Sequence, residues 1–167
     1  MNNLHETQKY YGLLKKWRED LILTSFEKIA LKKELDTLDK QLDRLSYNHL
    51  RIAVIGRAGV GKSSLLNALI GKEIFATDIG NGSTRNILSS TWQEKIPGIN
   101  KIDFIDTPGI DSIFSNKSSS LVSKLTQQND IIVFVLGGDI NSIEIKALKS
   151  ILNKGKPIFL VLNRSDQ

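Results

Sequence analysis

The stretch RIAVIGRAGVGKSSLLNALIG, Arg51 to Gly71, decides the fold. Arg51–Ile55 is a short, almost wholly apolar run, which reads as a strand buried on both faces. Gly56 to Ser63 fits the spacing G-x-x-x-x-G-K-S. Lys62–Ile70 then reads as a helix, with Gly71 as its stop. Strand, glycine-rich loop and helix are the context in which that spacing carries chemistry. Glycines let the backbone curl so that successive N–H groups point inward, and the helix adds its positive end. The ligand these features suit is a polyphosphate. Lys62 would neutralise its charge, and the Ser63 hydroxyl would be offered to Mg²⁺.

Three further segments extend the pattern. Asp106-Thr-Pro-Gly109 follows an apolar strand, 44 residues after Lys62. An aspartate there can hold Mg²⁺ through water, and the Gly109 N–H can reach a terminal phosphate. Asn163-Arg164-Ser165-Asp166 follows the last apolar strand. A carboxylate at Asp166 can accept two hydrogen bonds from guanine, a donor pair that adenine lacks. Asn163 either bonds the base or braces the phosphate loop, and the Arg164 stem can lie across the ring. Between the first two motifs, Gly80–Arg85 is a glycine-rich loop in which Thr84 offers a second oxygen to Mg²⁺.

Outward from these motifs the chain alternates. Asn86–Gln93 and Lys101–Asp106 read as strands, Ser118–Gln128 as a helix, Asp130–Leu136 as a buried strand, Ser142–Asn153 as a helix and Pro157–Leu162 as another buried strand. The expected class is therefore α/β, a mostly parallel sheet with helices on both faces. Residues 1–49 differ. No glycine or proline occurs from Leu13 to Ile55, which suits long helix. Leu14, Trp17, Leu21, Thr24, Lys28, Leu31, Leu35, Leu38, Leu42 and Leu45 keep heptad spacing, broken in character only at Thr24 and Lys28. The segment reads as a helix or helical hairpin packed on its own or a partner domain, or as a dimerising coiled coil.

Composition excludes other classes. Of 167 residues, 40% are hydrophobic, 25% are charged and none is cysteine, so a disulfide-stapled fold and whole-chain disorder are out. No apolar run reaches the roughly 20 residues of a membrane span, and the N-terminus lacks a signal-peptide pattern; a cytoplasmic location is the expectation. The net charge is +5. Residues 1–50 carry nine Lys/Arg against eight Asp/Glu, and residues 51–167 fourteen against ten. Without a basic run or an aromatic-interleaved stripe, no direct nucleic-acid binding is expected.

At these motifs the sequence resembles a small P-loop GTPase of the Era-like bacterial branch, and also the dynamin-related branch. The resemblance covers roughly residues 50–167. It implies a Ras-like fold, a GTP/GDP site with Mg²⁺, and hydrolysis of GTP to GDP and phosphate as a switch. Carried over, Gly56, Ala58, Gly59, Val60, Gly61, Lys62, Ser63 and Ser64 form the phosphate cradle. Ser63, Thr84 and Asp106 serve the metal, and Lys62, Thr84 and Gly109 the reaction. Asn163, Arg164 and Asp166 read the base. Four departures stand out. Arg164 replaces the usual lysine. Gly59 replaces a side-chain oxygen associated with potassium stimulation. Ile110 stands where Ras-type enzymes use glutamine to orient water. The family's last motif, strand and helix are missing after Asp166. The resulting organisation is a helical segment, 1–49, and a G domain, 50–167, lacking its C-terminal part. Two other functions fit the same residues: a nucleotide-gated assembly module with negligible hydrolysis, and an ATPase. Expected partners are GTP/GDP, a second copy or partner helices through residues 1–49, and a membrane through sequence outside this chain.

Overall fold

The computed structural model describes residues 2–77, 87–111 and 119–163. These residues group into two units, Met1–His49 with Lys95–Lys101, and Leu50–Glu94 with Ile102–Gln167.

In the larger unit, β1 (His49–Gly56) carries the decisive apolar run. Its neighbours give the strand order β2-β3-β1-β4-β5, with β2 (Leu88–Trp92), β3 (Lys101–Asp106), β4 (Ile131–Leu136) and β5 (Ile158–Leu162). β1 pairs with β4 in parallel, Ile55 opposite Phe134, and β4 pairs with β5 in parallel, Phe134 opposite Leu160. β2 runs antiparallel to β3. Side chains alternate across the sheet, so β1 feeds two cores. Ala53 and Ile55 join Ile132 and Phe134 under Leu125, Ala147 and Ile151. Val54 faces the other way, with Phe104, Val135, Leu66 and Phe75. Helices therefore cover both faces, and the expected Ras-like α/β arrangement is present.

The strand expected at Asn86–Gln93 is shorter, because only Leu88–Trp92 pairs with β3; Asn86 lies outside the described residues. The helix before β4 spans Ser119–Gln128 and the one before β5 spans Ser142–Leu152. The latter is capped by Asn141, whose side chain accepts from the N–H groups of Ile143 and Glu144 while Glu144 accepts from the Asn141 N–H.

In the smaller unit, the glycine-free run is not one helix. It forms α1 (Asn2–Glu19), α2 (Ser25–Ala30) and α3 (Lys32–Ser46). The break comes from a cap. Thr24 Oγ1 accepts from the Glu27 N–H at 3.3 Å, and Glu27 Oε2 accepts from the Thr24 N–H at 2.8 Å. That reciprocal pair starts a new helix without glycine or proline, at the position where the heptad loses its apolar character. α1 and α3 are tied by Arg18, whose Nε and terminal nitrogen donate to the two Asp39 oxygens at 2.8 and 2.9 Å. The remaining helices of the larger unit, Lys62–Ile70, Ser119–Gln128 and Ser142–Leu152, are α4, α5 and α6. Among the described residues no helix is long and apolar enough to cross a membrane.

Candidate nucleotide site

β1 delivers the chain to Gly56, where a Cβ would run into the Val135 carbonyl oxygen of the neighbouring strand. The loop then turns through Gly59 (φ 77°) and Gly61 (φ 89°), conformations that side chains disfavour. α4 begins at Lys62 with Gly61 as a cap that supplies no side-chain acceptor. The first N–H groups of the helix are thus left without a side-chain cap, as an anion site requires. Ala58 and Gly59 are exposed at the mouth, Val60 is buried beneath, and Ser64 is exposed on the first turn of α4.

Lys62 is buried, and its Nζ donates to the Arg57 carbonyl oxygen at 2.7 Å. Burial holds its pKa below the ordinary lysine value, opposed by the negative charges of Asp106 and Asp111. Ser63 Oγ donates to Asp106 Oδ2 at 2.6 Å, and Asp106 is fully buried at the end of β3. A hydroxyl and a carboxylate in contact are hard oxygen donors of the kind Mg²⁺ takes when most of its shell is phosphate and water. No group of three or more His, Cys, Asp or Glu side chains placed to hold a metal ion occurs among the described residues.

Gly109 lies hard against the loop. A Cβ there would sit 2.6 Å from the Ala58 nitrogen and 2.9 Å from its Cα. Two neighbours in the chain, Thr107 and Ile110, anchor the same segment. Thr107 is buried and its Oγ1 donates to the Val54 carbonyl at 2.8 Å, stitching the end of β3 to β1. Ile110 is fully buried in the core against Ile55 and Ile105. It is a packing anchor and does not face the cradle. Asp111 follows it: Oδ2 accepts from the Ala58 N–H at 3.1 Å, and Oδ1 lies 3.5 Å from Arg57 Nε. Arg57 is thereby paired with Asp111. Arg85 lies outside the described residues.

Asn163 reaches the phosphate loop. Its Nδ2 donates to the Val60 carbonyl oxygen at 2.9 Å, and its own N–H donates to Leu136 at 2.8 Å. A Cβ on Gly61 would collide with the Asn163 amide nitrogen. The side chain braces the loop. Asn67 pins the segment after α4 in the same manner, its Oδ1 accepting from the Ile74 and Phe75 N–H groups at 3.0 and 2.9 Å. Thr84, Arg164 and Asp166 lie outside the described residues. Beside the loop, a cavity of about 420 Å³ opens between Arg57–Val60 and Gly137–Asp139, with Glu144 at its wall.

The chain matches the sequence family described as 50S ribosome-binding GTPase over residues 51–164. It is 35% identical over 119 residues to GTPase Era of Trichlorobacter lovleyi, covering 70% of this chain and 39% of that protein. It is 31% identical over 120 residues to GTPase Der of Helicobacter hepaticus, covering 69% and 24%. A crystal structure of Era in complex with MgGDPNP and nucleotides 1506–1542 of 16S ribosomal RNA aligns with a TM-score of 0.59. The identity is 27%, over 71% of this chain and 41% of that one. The chain thus spans roughly two fifths or less of these relatives. The expectation of no direct nucleic-acid binding is corrected by that complex. A charge census of one domain tests only for a continuous basic stripe, and a neighbour of the same fold binds RNA.

Proposed function

We propose, because the chain belongs to the 50S ribosome-binding GTPase family, that it binds GTP and GDP with Mg²⁺ and hydrolyses GTP as a two-state switch. The observation that supports this most directly is convergence. Ser63 meets Asp106, 43 positions away, and Val60 meets Asn163, 103 positions away, around one glycine loop at a helix start. A merely structural turn has no need of three such motifs at one point.

In this reading the loop N–H groups and Lys62 bind the phosphates, and their contribution to phosphoryl transfer is positioning and charge neutralisation. Ser63 and Asp106 would hold Mg²⁺, with Thr84 joining when the terminal phosphate is present; the cation supplies neutralisation of phosphate charge. Gly109, pressed on Ala58, would present its N–H to that phosphate. Asp166 would select guanine, with the Arg164 stem against the base. Ile110 is committed to the core, so no glutamine-like group orients water at that position, and turnover by the chain alone is expected to be slow. Residues 1–49 form a helical segment attached to the G domain. RNA or a ribosomal particle is the first partner class to test, as the family description and the RNA-bound Era neighbour suggest.

The test is a competition experiment on the 167-residue chain. GTP and GDP should displace a fluorescent guanine nucleotide, and ATP should not. Phosphate release from GTP should require Mg²⁺ and be lost in Lys62→Ala. Equal binding of ATP and GTP would refute the guanine assignment.

A further inference from the structure

We infer that Asp111 is a nucleotide-state latch, a positioning residue whose carboxylate ties the Gly109 segment to the phosphate loop and opposes entry of a terminal phosphate. The inference rests on the guanine-nucleotide reading above and names how that same site is regulated.

Three observations carry it. Asp111 bridges two loop groups at once, the Ala58 N–H at 3.1 Å and the Arg57 guanidinium at 3.5 Å. Ala58 is the residue that Gly109 presses on, so the carboxylate grips the point where the two phosphate-binding segments touch. Its charge also reaches the cradle, because Asp111 acts on the ammonium of Lys62. A carboxylate held there partly satisfies the positive groups that a triphosphate would use. The terminal phosphate of GTP carries more charge into that region than GDP does, and like charges at close range repel.

The chemistry of the pair suits a latch better than a staple. Arg57 and Asp111 are 46% and 36% exposed. An exposed ion pair contributes about 0–1 kcal/mol to stability, so this contact adds little to the fold and is weak enough for a ligand to displace. The adjacent Ile110 is buried in the core, which keeps the segment in place whether the latch is closed or open. A ligand shifts such an equilibrium only by its differential affinity for the two states. That differential is supplied here by charge.

The experiment uses the whole chain and two variants, Asp111→Asn, which keeps shape and an acceptor but no charge, and Asp111→Ala, which removes both. Affinities for GDP and for a non-hydrolysable GTP analogue are measured with Mg²⁺, and amide exchange at Ala58 is followed without nucleotide. Asp111→Asn should tighten the GTP analogue about three- to tenfold and leave GDP within about twofold. Asp111→Ala should do the same and also speed exchange of the Ala58 N–H. An unchanged GTP-to-GDP ratio in Asp111→Asn, or a ratio moved toward GDP, overturns the latch while leaving the site intact. If the wild-type chain binds no guanine nucleotide, the site reading fails and the latch fails with it. Should Asp111→Ala be poorly folded, the isosteric Asp111→Asn ratio alone decides.

Discussion

Replacing Asn163 by alanine separates bracing of the loop from reading of the base. The asparagine amide donates to the Val60 carbonyl at 2.9 Å, in a partly buried setting beneath Gly61. Truncation removes that bond and leaves the carbonyl short of its donor. The net value of a protein hydrogen bond is about 0.5–1.5 kcal/mol, and an unsatisfied buried group costs about 1–3 kcal/mol. A loss of about 1–2 kcal/mol is therefore expected in the nucleotide-free protein. For a chain of this size that lowers Tm by about 2–8 °C. In the proposed site the loop would serve di- and triphosphates alike, so GDP and GTP should weaken together, by about five- to thirtyfold if the same energy is felt in binding. Thermal unfolding without nucleotide, followed by titration with GDP, a GTP analogue and ATP, reads all three quantities. An Ala variant with wild-type Tm that no longer prefers guanine over adenine would show that the side chain reads the base, and the bracing argument would be wrong.

Lys62→Met should abolish tight nucleotide binding in a titration while leaving the nucleotide-free protein as stable or more so, because it removes an ammonium whose burial disfavours the charged form. The folded-state pKa is depressed, so the unfolded chain binds the extra proton and the wild type should gain stability as pH rises from that lowered value toward 10.5. The Lys62→Met variant should lack that slope in urea unfolding curves collected across the alkaline range; an unchanged slope would contradict the burial argument. Gly109→Ala should separate the two nucleotide states, since a Cβ 2.6 Å from the Ala58 nitrogen must push the segment off the loop. At an overpacking cost of about 1–3 kcal/mol, GDP affinity should survive while GTP-analogue affinity and phosphate release fall about tenfold or more; equal loss of GDP binding would argue against a role at the terminal phosphate. Asp166→Asn should weaken GTP by about one to two decades, the value of a charge-assisted hydrogen bond, and favour xanthosine triphosphate, whose base offers a carbonyl where guanine offers an amino group. Unchanged selectivity in competition binding would remove Asp166 from the base site.

How much could be read beforehand depended on whether the determinant was local. The phosphate loop is a local object: its glycines answer to φ, its flanks to strand and helix periodicity, and all of it lies within Arg51–Gly71. The apolar runs of β1 and β4 lie side by side because a two-sided core holds Ala53, Val54 and Ile55 beside Ile132, Phe134 and Val135; β5, expected to be buried as well, forms the sheet edge and leaves Phe159, Leu160 and Leu162 more than half exposed. The N-terminal break was also written locally. Thr24 and Glu27 have the spacing of a capping box, and that signal outweighed the absence of glycine and proline from which a long helix was expected. The role of Asn163 was not local. Its partner is 103 positions away, and an asparagine at a strand end offers donors equally to a base or to a loop until the two strands are aligned. RNA binding is seen in a complex made by another protein, Era, and no residue of this sequence signals it.

Ile110 and Asp111 show why even a recognised motif conceals its working parts. Both follow the Asp106–Gly109 segment, and by analogy alone Ile110 invites comparison with a water-orienting glutamine. In the structure the two neighbours diverge: Ile110 is fully buried under the sheet, while Asp111 turns out to the loop. The first fixes the segment in the core, and the second binds it to Arg57 and Ala58. With Thr107 bonded to Val54, the backbone from Asp106 to Ile110 is held at both ends by groups that a nucleotide does not touch. A terminal phosphate can therefore act on this segment chiefly through Gly109 and Asp111. In the proposed site the Gly109 N–H would be the group attracted and the Asp111 carboxylate the group displaced. Opposite responses of adjacent polar groups to one anion are what distinguish a switch from a passive cradle, since a cradle would contain only the attracting half.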